Sequence, residues 1–159
     1  MKNEQGDDEL NEKTVNASLE KLSTAELDLL YKAPVLVSVL AASTYNTINQ
    51  DQKADALKLA HLKTFTARPE LISFYKVVEK NFRNEFEHLE KQFYPFAKPN
   101  REALRHEIQK VNIIISKLDK KVAEILHASL TAYANHVRKS GMGILDDFVF
   151  PLPIKGLTY

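Results

Sequence analysis

Between Ala33 and Ala42 the chain reads Ala-Pro-Val-Leu-Val-Ser-Val-Leu-Ala-Ala, with Ser38 as the one polar side chain. A helix apolar on every side is enclosed by other helices or by lipid. Ten residues fall short of a hydrocarbon layer ~30 Å thick, so the stretch predicts the central helix of a water-soluble bundle. Ser23-Thr24-Ala25-Glu26 upstream reads as a capping box, in which the serine hydroxyl takes one orphan N–H and the glutamate returns to the serine's own. The helix it starts carries Leu27, Leu30 and Tyr31, and Pro34 either kinks it or begins a new one. Both outcomes lead into the apolar stretch, which continues to about Ser43.

Further polar breaks separate further periodic runs. Asn46 suits a left-handed turn, and Asn49 with Gln52 three residues on signals a second cap. The helix after it, to about Thr64, carries Leu57, Leu59, Ala60 and Leu62 on two sides, which predicts a wedge between neighbours. Pro69 opens the next helix, whose stripe Leu71, Tyr75, Val78, Phe82, Phe86, Leu89, Phe93 alternates steps of three and four. Pro95 and Pro99 end it. From Asn100 a line runs through Leu104, Ile108, Val111, Ile115, Leu118, Val122, Ile125, Ser129, Tyr133 and Val137. It is either one helix or two broken near Ser116–Asp119, with Asp119 as a cap, and Gly141 is the expected stop.

The two ends differ from this middle. Residues 1–17 are poor in apolar side chains and read as a flexible acidic arm that gains helix near Val15–Leu22. Residues 144–159 are mostly apolar yet hold Pro151, Pro153 and Gly156, which predicts an extended tail packed on the bundle or on a partner. Phe148, Phe150, Leu152 and Ile154 are its candidate contact residues: an extended segment can grip a partner's groove. Covering its own helices is the competing reading, because large bare apolar patches are uncommon on monomers.

Composition narrows the function classes. Net charge is +1, with 44% apolar and 27% charged residues, ordinary values for a globular chain. The first thirteen residues hold five acids against Lys2 and Lys13. No concentrated basic face of the kind nucleic acid requires follows them. The chain has no cysteine, hence no disulfide framework or thiolate chemistry. The polar, acidic start is unlike a secretory signal, so a cytoplasmic location is expected.

Two Glu-x-x-His pairs, Glu85/His88 and Glu124/His127, match the spacing that binds iron inside helical bundles. On a helical wheel His88 lies roughly 125° from its helix's core direction and Glu85 roughly 65°. Glu124 and His127 fall roughly 140–160° from the Leu118–Val122–Ile125 face. Both pairs are therefore expected largely in solvent, and no metal site is assigned. His61, four residues after Leu57, is expected to be a half-buried packing residue, and His106 and His136 sit among charges. No nucleophile elbow or Gly-rich phosphate loop occurs. Hence no catalytic residue and no cofactor is assigned.

The apolar helix with Lys32-Ala33-Pro34-Val35-Leu36-Val37, the turn, the capped helix and the later long helices resemble the TerB-like all-α family over about Ser23 to Gly141. That family includes tellurite-resistance proteins and a domain attached to a membrane co-chaperone. Its first helix ends in a turn of the form Asp-Gly-x-Ile-x-x-x-Glu, whose acids are proposed to hold a metal. With Ile48 on the isoleucine, Tyr45 falls at the aspartate, Asn46 at the glycine and Gln52 at the glutamate. Neither Tyr45 nor Gln52 supplies the carboxylate a hard cation wants, so the resemblance implies the fold without the metal site.

The expectation is an all-α, single multi-helix bundle around a buried central helix. It is divided into an arm (1–17), a helical TerB-like domain (18–143) and an extended tail (144–159). Its expected role is non-enzymatic: protein interaction or scaffolding with an unknown partner or by self-association, without nucleic acid or a membrane span. The alternatives are a metal-linked stress-response protein, implied by the resemblance, and a ligand or enzymatic pocket assembled from distant residues around His61 and Tyr45.

Overall fold

The computed structural model describes residues 10–44 and 46–140. Six helices follow one another: α1 (Glu12–Glu20), α2 (Thr24–Ala42), α3 (Gln50–Thr66), α4 (Ile72–Gln92), α5 (Lys98–Ile115) and α6 (Lys120–Ser140). A 3-10 turn, Pro69–Leu71, leads into α4. Strands β1 (Ser43–Thr44) and β2 (Thr47–Ile48) form a minimal antiparallel ladder pairing Ser43 with Ile48 and Thr44 with Thr47. Asn46 turns this ladder at φ 70°, a left-handed conformation that asparagine tolerates better than most residues.

The fold is an all-α bundle with α2 at its centre. Helices α3, α4, α5 and α6 all pack on α2, and every residue from Ala33 to Ala42 is buried. Pro34 sits inside one continuous helix. An interior proline costs a helix ~3 kcal/mol, and close packing on all sides of α2 offsets that here. Ser38 donates its hydroxyl to the Pro34 carbonyl at 2.6 Å, so the stretch buries no idle hydroxyl. The Ser23 capping box forms with Glu26 as read from sequence.

Hydrogen bonds and ion pairs fix the helix directions. Lys53 reaches Glu90 and His61 reaches Glu79, so α3 and α4 are antiparallel. Gln52 bonds the Arg138 carbonyl and Tyr133 the Ala56 carbonyl, so α3 and α6 are antiparallel too. Glu26 pairs with Lys117 just past α5, which places the start of α2 beside the end of α5. Around α2 the order is therefore α4, α3, α6, α5.

Several boundaries differ from the sequence reading. α1 begins at Glu12, inside the stretch expected as an arm, because Asn11 and Thr14 form a reciprocal cap and Val15 and Leu19 join the core. The line from residue 100 is two helices, broken where expected; the Asp119 amide donates to Ser18 Oγ at 3.1 Å. α5 starts at Lys98 with Pro99 in its first turn, where a missing N–H costs nothing. Asn49 caps α3, but the Gln52 side chain turns inward to the Arg138 carbonyl at 3.1 Å rather than completing a box. Residues 1–9, Tyr45 and 141–159 lie outside the described residues, and with them the acidic start, Gly141 and the tail contacts Phe148, Phe150, Leu152 and Ile154.

Candidate functional site

A cleft of about 270 Å3 runs between α2 and α4. Asp28, Tyr31, Lys32 and Val35 come from one face of α2, at the i, i+3, i+4, i+7 spacing that puts side chains in a row. Val77, Val78, Asn81 and Glu85 come from α4. Val35 and Val78 are buried, and Val77 stays 37% exposed. The Tyr31 ring stacks on Phe74 with centroids 5.3 Å apart, and partial burial raises the pKa of its hydroxyl. Lys32 Nζ lies 3.9 Å from Glu85 Oε2, a loose pair at the rim. With Asp28 added, the rim holds two acids against one lysine.

Behind the cleft lies a buried aromatic column. Tyr75 and Tyr133 stack at 6.2 Å, and Phe82 lies 6.1 Å from Tyr133. The Tyr75 and Ser129 hydroxyls are hydrogen-bonded to each other, and Tyr133 donates to the Ala56 carbonyl at 2.7 Å. Burial pushes the Tyr75 phenol up to about 12, with the Ser129 bond acting the other way. Burial first, then Tyr75 and Asp55, raise Tyr133 well above its ordinary value.

In the unfolded chain both phenols ionise near 10. Above that pH the unfolded state binds fewer protons than the native one. The Tyr75 contribution is thus complete below about pH 10 and is lost as pH climbs through about 12, and Tyr133 acts in the same direction. The expected result is a melting temperature that falls across that window, with a shallower fall in Tyr75→Phe. Equal slopes in the two proteins would remove the phenol from the account.

The histidines depart from the sequence reading in two places. His127 is buried, 5% exposed, rather than solvated with Glu124. α6 begins a new helical phase after the break, so the direction extrapolated from Leu118 does not apply to it. Burial lowers the His127 pKa, which favours neutral imidazole. His61 is exposed rather than half-buried, with Nδ1 2.7 Å from Glu79, because the core line of α3 runs through Ala56, Leu59 and Ala60. His136 Nε2 lies 3.0 Å from Asp55. His88 is exposed as expected, while Glu85 turns to the cleft.

Among the described residues, no serine or threonine hydroxyl bonds the imidazole of His61 or His136. No group of three His, Asp or Glu side chains there is placed to hold a metal ion. No helix of the described residues is long and apolar enough to cross a membrane. The sequence reading missed Tyr31, Val77 and Asn81. Their only signal, a row on α2 beside a row on α4, exists once those two helices are known to be neighbours.

No protein-family model matches the chain, and neither a curated protein nor a solved structure matches it.

Proposed function

We propose that this chain is a non-enzymatic helical domain that works by protein association, with the α2–α4 cleft as its contact surface. The observation that carries this reading is the cleft itself: a valine floor and an aromatic wall under a rim of mixed charge. Its volume lies below the roughly 300–1,000 Å3 of small-molecule sites, a size that suits one anchoring side chain. An apolar anchor flanked by a basic residue matches the floor and the acidic excess of Asp28 and Glu85. A TerB-like fold belongs to the same proposal, supported by the apolar central helix, the Asn46 turn and buried Ile48.

Val77→Glu tests the proposal. A substitution at this partly exposed position is expected to change stability by no more than about 0.5 kcal/mol, while a charge enters the cleft. In pull-downs from the native host, partner recovery should fall at least tenfold while the melting temperature holds. Recovery equal to wild type would move the contact away from this cleft.

A further inference from the structure

We infer that the hollow between the end of α3 and the first half of α6 binds a small zwitterion: a free amino acid or a short peptide that brings a carboxylate, an ammonium and one apolar side chain. The hollow shares no lining residue with the α2–α4 cleft, and its role is independent of what that cleft binds.

The hollow follows from how the two helices run. Because α3 and α6 are antiparallel, the last turns of α3 lie against the first turns of α6. Lys63 and the C-cap Ala67 line the hollow from α3. Glu124, Ile125, Ala128 and Ser129 line it from α6, at the i, i+1, i+4, i+5 spacing of one helix face. Leu71, which closes the 3-10 turn, and Ile125 are both buried and make an apolar floor. Ala67 and Ala128 carry no side chain beyond Cβ to fill the space between the helices, and about 450 Å3 stays open. That volume lies within the roughly 300–1,000 Å3 of small-molecule sites, a range the α2–α4 cleft does not reach.

Three polar groups set the chemistry of the occupant. Lys63 and Glu124 are both half-buried, on facing helices. Among the described residues neither has an ion-pair partner, and they do not pair with each other. A charge drawn partly out of water without a partner is costly. A carboxylate set on Lys63 and an ammonium set on Glu124 offset that cost at both ends. Arg68, the other cation lining the hollow, is already held by Glu70. A free cation facing a free carboxylate disfavours a simple anion or a simple cation, and one carboxylate is too little for a hard metal ion. The third group is the Ser129 hydroxyl, whose one hydrogen bond among the described residues is with the buried Tyr75 phenol. A hydroxyl has one donor and two lone pairs, so capacity remains there for a ligand amide or carboxylate. The floor of Leu71 and Ile125 takes the apolar side chain.

Isothermal titration calorimetry of the full chain with leucine and with leucyl-glycine tests this. At least one should bind with a Kd below about 1 mM; binding of leucine identifies a free amino acid, and binding of leucyl-glycine alone a short peptide. The N-acetylated and C-terminally amidated forms of the probe that binds each lack one charge and should bind at least tenfold more weakly. Lys63→Met should remove the preference for the free acid over the amide, and Glu124→Gln the preference for the free amine over the acetylated form. Ala128→Leu fills the hollow from an exposed position and should abolish binding at an unchanged melting temperature. Val77→Glu, in the α2–α4 cleft, should bind the probe as wild type does, which separates this site from the contact surface proposed there. No binding of either probe, equal binding of the blocked forms, or preferences unmoved by Lys63→Met and Glu124→Gln would overturn the inference. Wild-type binding by Ala128→Leu, or an equal loss in Val77→Glu, overturns it as well.

Discussion

Val39→Asp is expected to unfold the domain. Val39 is fully buried on α2, next to Leu40 and to Ser38, whose hydroxyl is already bonded to the Pro34 carbonyl, with helices packed around it. A carboxylate there has no cation in reach through the apolar layer, and an unpaired buried charge costs several kcal/mol even after its pKa has risen to keep it neutral. Domain stabilities are about 5–15 kcal/mol, so the substitution consumes most or all of the margin. Circular dichroism should show loss of the cooperative melt at 25 °C or a melting temperature lowered by tens of degrees. A near-wild-type melt would mean that α2 is not enclosed.

Phe82→Ala comes second in size. Phe82 sits at 2% exposure on α4, 6.3 Å from the Phe86 ring and 6.1 Å from Tyr133 across on α6. Truncation leaves a cavity where α4 and α6 meet behind α2, and close-packed neighbours relax only partly into such space. The expected loss is about 3–5 kcal/mol in urea unfolding, read as a lower midpoint at unchanged slope. A loss under about 1 kcal/mol would show that α4 and α6 are not in contact at this ring. Phe82 and Val39 lie on separate helices, so the comparison separates packing on the centre from packing around it.

What the sequence made legible, and what it did not, follows from how far each physical signal extends. The α4 stripe from Leu71 to Phe93 was readable because one period runs through it unbroken, and all seven side chains are buried. The Ser23–Glu26 cap and the Asn46 turn were readable because each rests on neighbours within three residues. His127 was misplaced because a helical phase was carried across Ser116–Asp119, where the chain starts a new helix at Lys120. His61 was misplaced by taking Leu57 as the core marker of α3, when Ala56, Leu59 and Ala60 are buried and Leu57 is only partly so. Small residues carry weak hydrophobic signal, yet alanines let helices approach closely. The α2–α4 cleft was invisible for a different reason. It depends on which helices are neighbours, and Tyr31 and Val77 are far apart in the chain.

The central position of α2 has a consequence for how the protein is made. Its last residue, Ala42, leaves the ribosome well before Ser140 completes α6. At synthesis rates of about 5–20 residues per second, the most water-averse segment waits roughly 5–20 s for its final neighbour. Nascent chains in that interval carry a helix that no partial set of later helices can enclose, and exposed apolar surface of this kind invites chaperone engagement or aggregation. The cell's handling of this polypeptide is thus governed by its second helix, while the schedule is set by its sixth.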